Sequence, residues 1–168
     1  MATDKLRLRA SASYSKSELT SDVPSLIRTI TPPGFGTAFI DGQDGDRLPG
    51  SPETQFSLFA SYDLPLANGN SVTLNSGYRW QDDVLSTTGG RGNRLTLDSF
   101  GVANASAVYD TDNYSVTLYV NNVFDEFAET GVQGSVLSNQ IVNGASVRSF
   151  QTTVLTPRTI GARFSYSF

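Results

Sequence analysis

Apolar and polar residues alternate with a period of two in six stretches of this chain. The pattern is clearest at residues 158–168, where Ile160, Ala162, Phe164, Tyr166 and Phe168 share one parity and Thr159, Gly161, Arg163, Ser165 and Ser167 the other. Successive side chains of a strand point to opposite faces, so each such stretch predicts a β-strand with one apolar and one polar side. Leu6, Leu8, Ala10, Ala12 and Tyr14 repeat the pattern, as do Phe56, Leu58, Ala60, Tyr62 and Leu64. So do Val72, Leu74, Ser76, Tyr78 and Trp80, then Gly101, Ala103, Ala105, Ala107 and Tyr109, then Tyr114, Val116, Leu118 and Val120. The predicted strands span 5–19, 54–65, 71–81, 97–110, 113–121 and 158–168. A length of about ten residues is what a tilted strand needs to cross a bilayer.

The connections between these strands alternate in length. Residues 20–53, 81–97 and 121–157 predict long irregular loops, the first broken by Pro32-Pro33-Gly34 and Pro49-Gly50-Ser51-Pro52. Residues 67–70 and 110–113 are tight connections, and Asn68-Gly69 predicts a type I′ hairpin turn with both central residues at positive φ. Long loops on one side and short turns on the other are the habit of outer-membrane barrels, whose periplasmic turns are short. The first strand is then expected to run outward and the last to end at the periplasmic rim.

Charge follows the same parity. Arg7, Arg9, Asp63, Arg79 and Arg163, the ionised residues inside the strand cores, all fall opposite the apolar positions. An arginine facing lipid near the bilayer centre costs about 2–4 kcal/mol, so a membrane wall needs this sorting. Six of the seven tyrosines take the apolar parity, with Tyr119 the exception. Tyr14, Tyr78 and Trp80 then fall at one end of the strands and Tyr62, Tyr109 and Tyr114 at the other, the levels at which amphipathic rings form girdles.

Composition removes several function classes. The 168 residues contain neither Cys nor His, which excludes thiol nucleophiles, disulfides, His-dependent triads and most zinc sites, and no catalytic constellation remains to suggest an enzyme. A net charge of −4 argues against a nucleic-acid partner. No stretch approaches the apolar run of a membrane helix.

With the strands placed, the sequence Leu118-Tyr-Val-Asn-Asn-Val-Phe-Asp-Glu-Phe127 resembles the penultimate-strand signature of TonB-dependent outer-membrane receptors, with Asn121, Asn122, Phe124 and Asp125 carrying the motif. Gly45-Asp-Arg-Leu-Pro-Gly-Ser-Pro52 ahead of a Phe-rich strand, and the alternating ending at Phe168, are similar to the same family. The resemblance implies an all-β, antiparallel up-and-down transmembrane barrel segment, the C-terminal part of a barrel of about twenty-two strands with a plugged lumen. It implies that Phe164, Tyr166 and Phe168 form the signal read by the barrel-assembly machinery. Arg7, Arg9, Asn75, Arg79, Asn104, Tyr119 and Arg163 would face the lumen, towards the plug or the transport path. The expected partners are outer-membrane lipid, the assembly machinery and the remaining barrel and plug, with TonB reached only through that plug. The expected role is transport of a large scarce nutrient, of siderophore-iron, cobalamin or glycan type, in a Gram-negative outer membrane.

Other clusters carry weaker signals. Asp41, Asp44 and Asp46 have a spacing reminiscent of a calcium loop but lack its closing Glu, so a solvated loop is expected there. The run from Gly89 to Gly92 fits no phosphate fingerprint and predicts a flexible loop, and Asp82-Asp83 and Asp125-Glu126 predict solvated carboxylates. No cofactor is expected. No signal peptide precedes the first strand, so the native start is expected upstream of Met1. Two other functions fit the pattern less well: a small outer-membrane barrel acting as an adhesin or structural protein, and a soluble all-β binding module.

Overall fold

The computed structural model describes residues 5–31, 36–92, 94–133, 140–142, 145–147 and 150–167. Phe168, expected to end the last strand, lies outside the described residues. Strand β1 (Leu6–Tyr14) is followed by β2 (Val23–Thr31) and β3 (Gly36–Gly42), then by β4 (Thr54–Pro65) and β5 (Ser71–Gln81). The short pair β6 (Val84–Leu85) and β7 (Thr96–Leu97) precedes β8 (Phe100–Asp110) and β9 (Tyr114–Asn121). Next come β10 (Glu129–Gln133), β11 (Gln140–Val142), β12 (Ala145–Val147) and β13 (Gln151–Val154), and β14 (Thr159–Tyr166) closes the order.

Six of these strands form one antiparallel sheet in the order β1-β4-β5-β8-β9-β14, whose edges are β1 and β14 and which does not close on itself. The six follow the period-two stretches, with narrower limits at some ends. Strand β1 stops at Tyr14 rather than continuing to residue 19, β8 starts at Phe100 rather than 97, and β14 runs from Thr159. The described parts of residues 20–53 and 121–157, expected to be irregular loops, also contain strands. The first contains the β2–β3 hairpin and the Arg47 side of an isolated bridge to Glu18, and the last contains the pairs β10–β13 and β11–β12. Short strands interrupted by Pro, Gly and a bulge near Val23 carry too few alternating positions to stand out in the sequence.

The register keeps the two faces separate across the whole sheet. Leu6 lies opposite Tyr62, Tyr62 opposite Leu74, Leu74 opposite Ala107, Ala107 opposite Leu118, and Leu118 opposite Ala162. One step along, Arg7, Ser61, Asn75, Ser106, Tyr119 and Gly161 form the matching row on the other face. A slip of one residue at any strand would mix the faces, and none occurs.

The apolar face is bare. Leu8, Leu58, Leu118, Ile160 and Phe164 are all more than half exposed, Ile160 at 77%. The buried apolar residues among those described lie elsewhere: Ile27, Leu97, Phe100, Val102 and Ala128. Phe100 and Val102 take the polar-face parity at the long-loop end of β8, where Ala128 and Leu155 of the last connection pack on them. A soluble sheet buries its apolar side first, and this sheet leaves that side uncovered over six strands.

The turn between β4 and β5 differs from the expected type I′ geometry. The N–H of Gly69 donates to the Leu66 carbonyl (3.1 Å) and that of Leu66 to the Asn70 carbonyl (2.8 Å). Gly69 has φ 84°, whereas Asn68 keeps a negative φ. This is a three-residue hairpin loop in which one left-handed residue suffices, and glycine takes it without the Cβ penalty.

Candidate functional site: two faces and a clamped rim

The polar face brings Asn75, Asn104, Tyr119 and Arg163 around one open groove, together with Phe59, Ser106 and Thr117. It does not gather the other lumen candidates. Arg7 is paired with Asp63 at 2.6 Å, and Asp63 also accepts a hydrogen bond from the Thr73 hydroxyl at 2.9 Å. Arg79 sits beside Ser57 nearer the long-loop end, and Arg9 pairs in register with Phe59. Among the described residues Arg9, Arg79 and Arg163 have no ion-pair partner. Tyr119, the tyrosine of odd parity, lies against Gly161, its register partner, so closely that a Cβ there would strike the ring. Its ring covers the gap a glycine leaves in a strand.

On the apolar face the aromatic residues form two groups at opposite ends. Phe56 stacks on Trp80 with centroids 5.6 Å apart and tilts against Tyr78 at 5.9 Å, towards the long connections. Tyr114 stacks on Phe164 at 6.0 Å and meets Tyr109 at 6.2 Å, towards the short turns. Tyr166 lies opposite Tyr114 in register. Tyr14, 68% exposed, and Tyr62, opposite Leu6 and Leu74, stand apart from both groups. Phe56 was not among the girdle candidates. Its signal was its place at the start of β4, where a hairpin sets it opposite Trp80.

The rim of long connections is clamped by ion pairs that the sequence did not disclose. Arg91 donates from Nε to Asp46 Oδ2 (2.7 Å), from Nη2 to Asp46 Oδ1 (3.0 Å), and from Nη2 to the Gln43 side-chain oxygen (2.6 Å). The backbone N–H of Gln43 donates to the same Asp46 carboxylate at 2.8 Å. The Arg91 guanidinium, then the Gln43 N–H, hold the Asp46 carboxyl below the usual carboxylate range, and Asp46 in turn raises Arg91. Asp46 is therefore a nearly buried, paired carboxylate rather than a solvated one. The 89–92 segment is docked rather than free: the Gly89 N–H donates to the Arg47 carbonyl (2.9 Å), and a Cβ on Gly89 would strike the Asp46 carboxylate.

Arg47 makes a second tie, donating to Asp83 Oδ2 (3.0 Å) and to the Asp83 carbonyl (2.6 Å). Its buried Nε has Glu53 Oε1 at 3.4 Å as an ion-pair partner, outside hydrogen-bond geometry. Asp83 is thus engaged as well. The Asp41 carboxylate accepts the Ser25 N–H at 2.7 Å, and the backbone N–H of Asp44 donates to the Asp22 carboxylate at 2.8 Å.

The motif residues form a polar hub at the end of β9. Asn122 is 3% exposed with φ 52°. Its N–H donates to the Asn104 side-chain oxygen (3.0 Å), and its carboxamide donates to the Glu126 (2.9 Å) and Thr156 (3.1 Å) carbonyls. Its side-chain oxygen accepts the Glu126 N–H at 2.8 Å. Asp125, also left-handed at φ 57°, accepts the Arg158 N–H at 2.8 Å. The two ends of the last connection are thereby tied to each other and to β8. Asn121 lies opposite Thr159, and Phe124 is 73% exposed.

Comparison with known proteins gives a consistent family. Residues 2–123 match the family described as TonB dependent receptor-like, beta-barrel. The chain is 29% identical over 104 residues to the ferric-pyoverdine 358 receptor of Pseudomonas putida, a match covering 61% of this chain and 13% of that protein. The chain thus spans a small part of the curated relative's length. No solved structure matches it.

Proposed function

From the premise that this chain belongs to the TonB-dependent receptor β-barrel family, outer-membrane receptors rather than enzymes, we propose that it forms wall and surface loops of a receptor that imports a ferric siderophore. The observation that carries this reading is the exposed apolar face kept in register across six strands. Water penalises such a face and hydrocarbon does not. The polar face then looks inward, where Asn75, Asn104 and Tyr119, with Arg9, Arg79 and Arg163, which have no ion-pair partner among the described residues, meet the plug or the ligand's path. The aromatic groups around Trp80 and Tyr114 sit at the two headgroup levels. The short turns lie in the periplasm, and Phe164, Tyr166 and Phe168 serve as the assembly signal.

The siderophore assignment draws on the relative's name and remains a property of the whole protein, whose other parts supply the plug and the contact with TonB. Uptake of radiolabelled iron as ferric pyoverdine tests it. Uptake is expected to depend on both the intact receptor and TonB. Equal uptake with and without the receptor would overturn the siderophore assignment.

A further inference from the structure

Residues from all three long connections surround a cleft of about 530 Å³ at the rim. Pro49 and Pro52 of the first connection and Val84 and Leu85 of the second form one side, and Val132 of β10 forms the other. Gln81 also lines it and pairs in register with Phe100 on the polar face, so the cleft lies over the inward side of the sheet rather than the apolar side.

Both walls are held in place. The first two connections are joined by the Asp46–Arg91 and Arg47–Asp83 pairs, and the Gly50 N–H donates to the Leu85 carbonyl at 3.1 Å within the wall itself. Opposite, the base of β10 is fixed by the Asn122 hub, by Ala128 packed on Phe100 and Val102, and by the Leu155 N–H donating to the Ala128 carbonyl at 2.8 Å. These ties surround the cleft without pointing charge into it: among the described residues lining it, none is ionisable. The neutral polar groups are Gln81, Ser86 and Thr130.

We propose that this cleft binds an uncharged apolar group, an aryl ring or short acyl chain, of a small molecule arriving at the rim. Its volume lies within the range of about 300–1,000 Å³ typical of small-molecule sites, and fixed walls avoid the ordering penalty of a loose one. An ion entering it would shed water without gaining a counter-charge. The cleft selects against charge on its own. That the group belongs to a siderophore, with the charged iron centre held elsewhere, rests on the receptor reading.

Fluorine NMR on the purified full receptor tests the site with two probes of one ring, neutral para-fluorobenzyl alcohol and anionic para-fluorobenzoate. The alcohol signal is expected to broaden and the benzoate signal to stay sharp. Leu85→Trp and Val132→Trp, which fill the cleft from opposite walls, are each expected to lower the alcohol's affinity about tenfold or more. Leu8→Trp, on the apolar face, controls for an added indole and leaves it unchanged. Heat-modifiable migration identifies which filled variants have assembled. Equal broadening of both probes, or undiminished alcohol binding in the filled variants, overturns the proposal. Selective probe binding without ferric-pyoverdine uptake would sink the siderophore assignment and leave the cleft standing.

Discussion

The side-chain oxygen of Asn104, on β8, accepts the backbone N–H of Asn122 at 3.0 Å. This one bond joins a polar-face residue to the hub that ties both ends of the last connection. Asn122 itself is buried, so its carboxamide depends on Glu126 and Thr156 for hydrogen bonds, and Asn is the non-glycine residue best suited to its left-handed backbone.

Asn122→Ala removes three side-chain hydrogen bonds and keeps a Cβ at positive φ. It is expected to lower the receptor's resistance to urea unfolding by about 2–4 kcal/mol, from the three lost hydrogen bonds plus left-handed strain. Asn122→Gly lacks the strain and should lose less. Equal losses in the two variants would contradict the backbone part of the argument.

Tyr119 and Gly161 should behave as one unit. Gly161→Ala drives a Cβ into the ring and is expected to destabilise by about 1–3 kcal/mol. Tyr119→Ala uncovers the glycine, and in the double variant the clash is gone, so the two effects should not add. A double-mutant cycle of unfolding midpoints measures this, and strict additivity would show that the ring does not cover the glycine in solution.

The Asp46–Arg91 clamp has a definite pH dependence. Its carboxyl is held below the ordinary range, so its contribution is complete above the unfolded carboxylate's pKa and is lost as pH falls through the lower, folded value. Spin labels at Asp44 and Thr88 should report a narrow distance distribution from neutral through mildly acidic pH, broadening only under stronger acid. Asp46→Asn should broaden it at every pH. A broadening centred in the mildly acidic range would show that Arg91 does not hold the carboxylate.

The strands were legible because one parity of each is mostly apolar, and the short turns set the register of β4 on β5 and of β8 on β9. The clamps were not legible. Asp46 and Arg91 are separated by two strands of the main sheet, and nothing local marks them as partners rather than solvated charges. Asn122 stood out as part of a motif, but its burial depends on Asn104, Glu126 and Thr156 converging from three places. The Asn68-Gly69 turn was located correctly and mistyped, because adding one residue to the loop moves the left-handed requirement onto Gly69 alone.

Removal of Phe168 from the full receptor is expected to reduce the amount of heat-modifiable protein in the outer membrane, while total synthesis stays constant. Unchanged assembly would remove the terminal alternation from any targeting role and leave it a purely structural strand.

The central claim is that one face of this sheet meets lipid and the other does not. Nitroxide scanning of β9 in the reconstituted receptor tests it most directly, comparing collision with oxygen, which concentrates in hydrocarbon, and with a water-soluble nickel chelate. Val116, Leu118 and Val120 should be oxygen-accessible, while Ser115, Thr117 and Tyr119 should not, giving a period of two. Oxygen accessibility without that period, or with the opposite phase, would contradict the account.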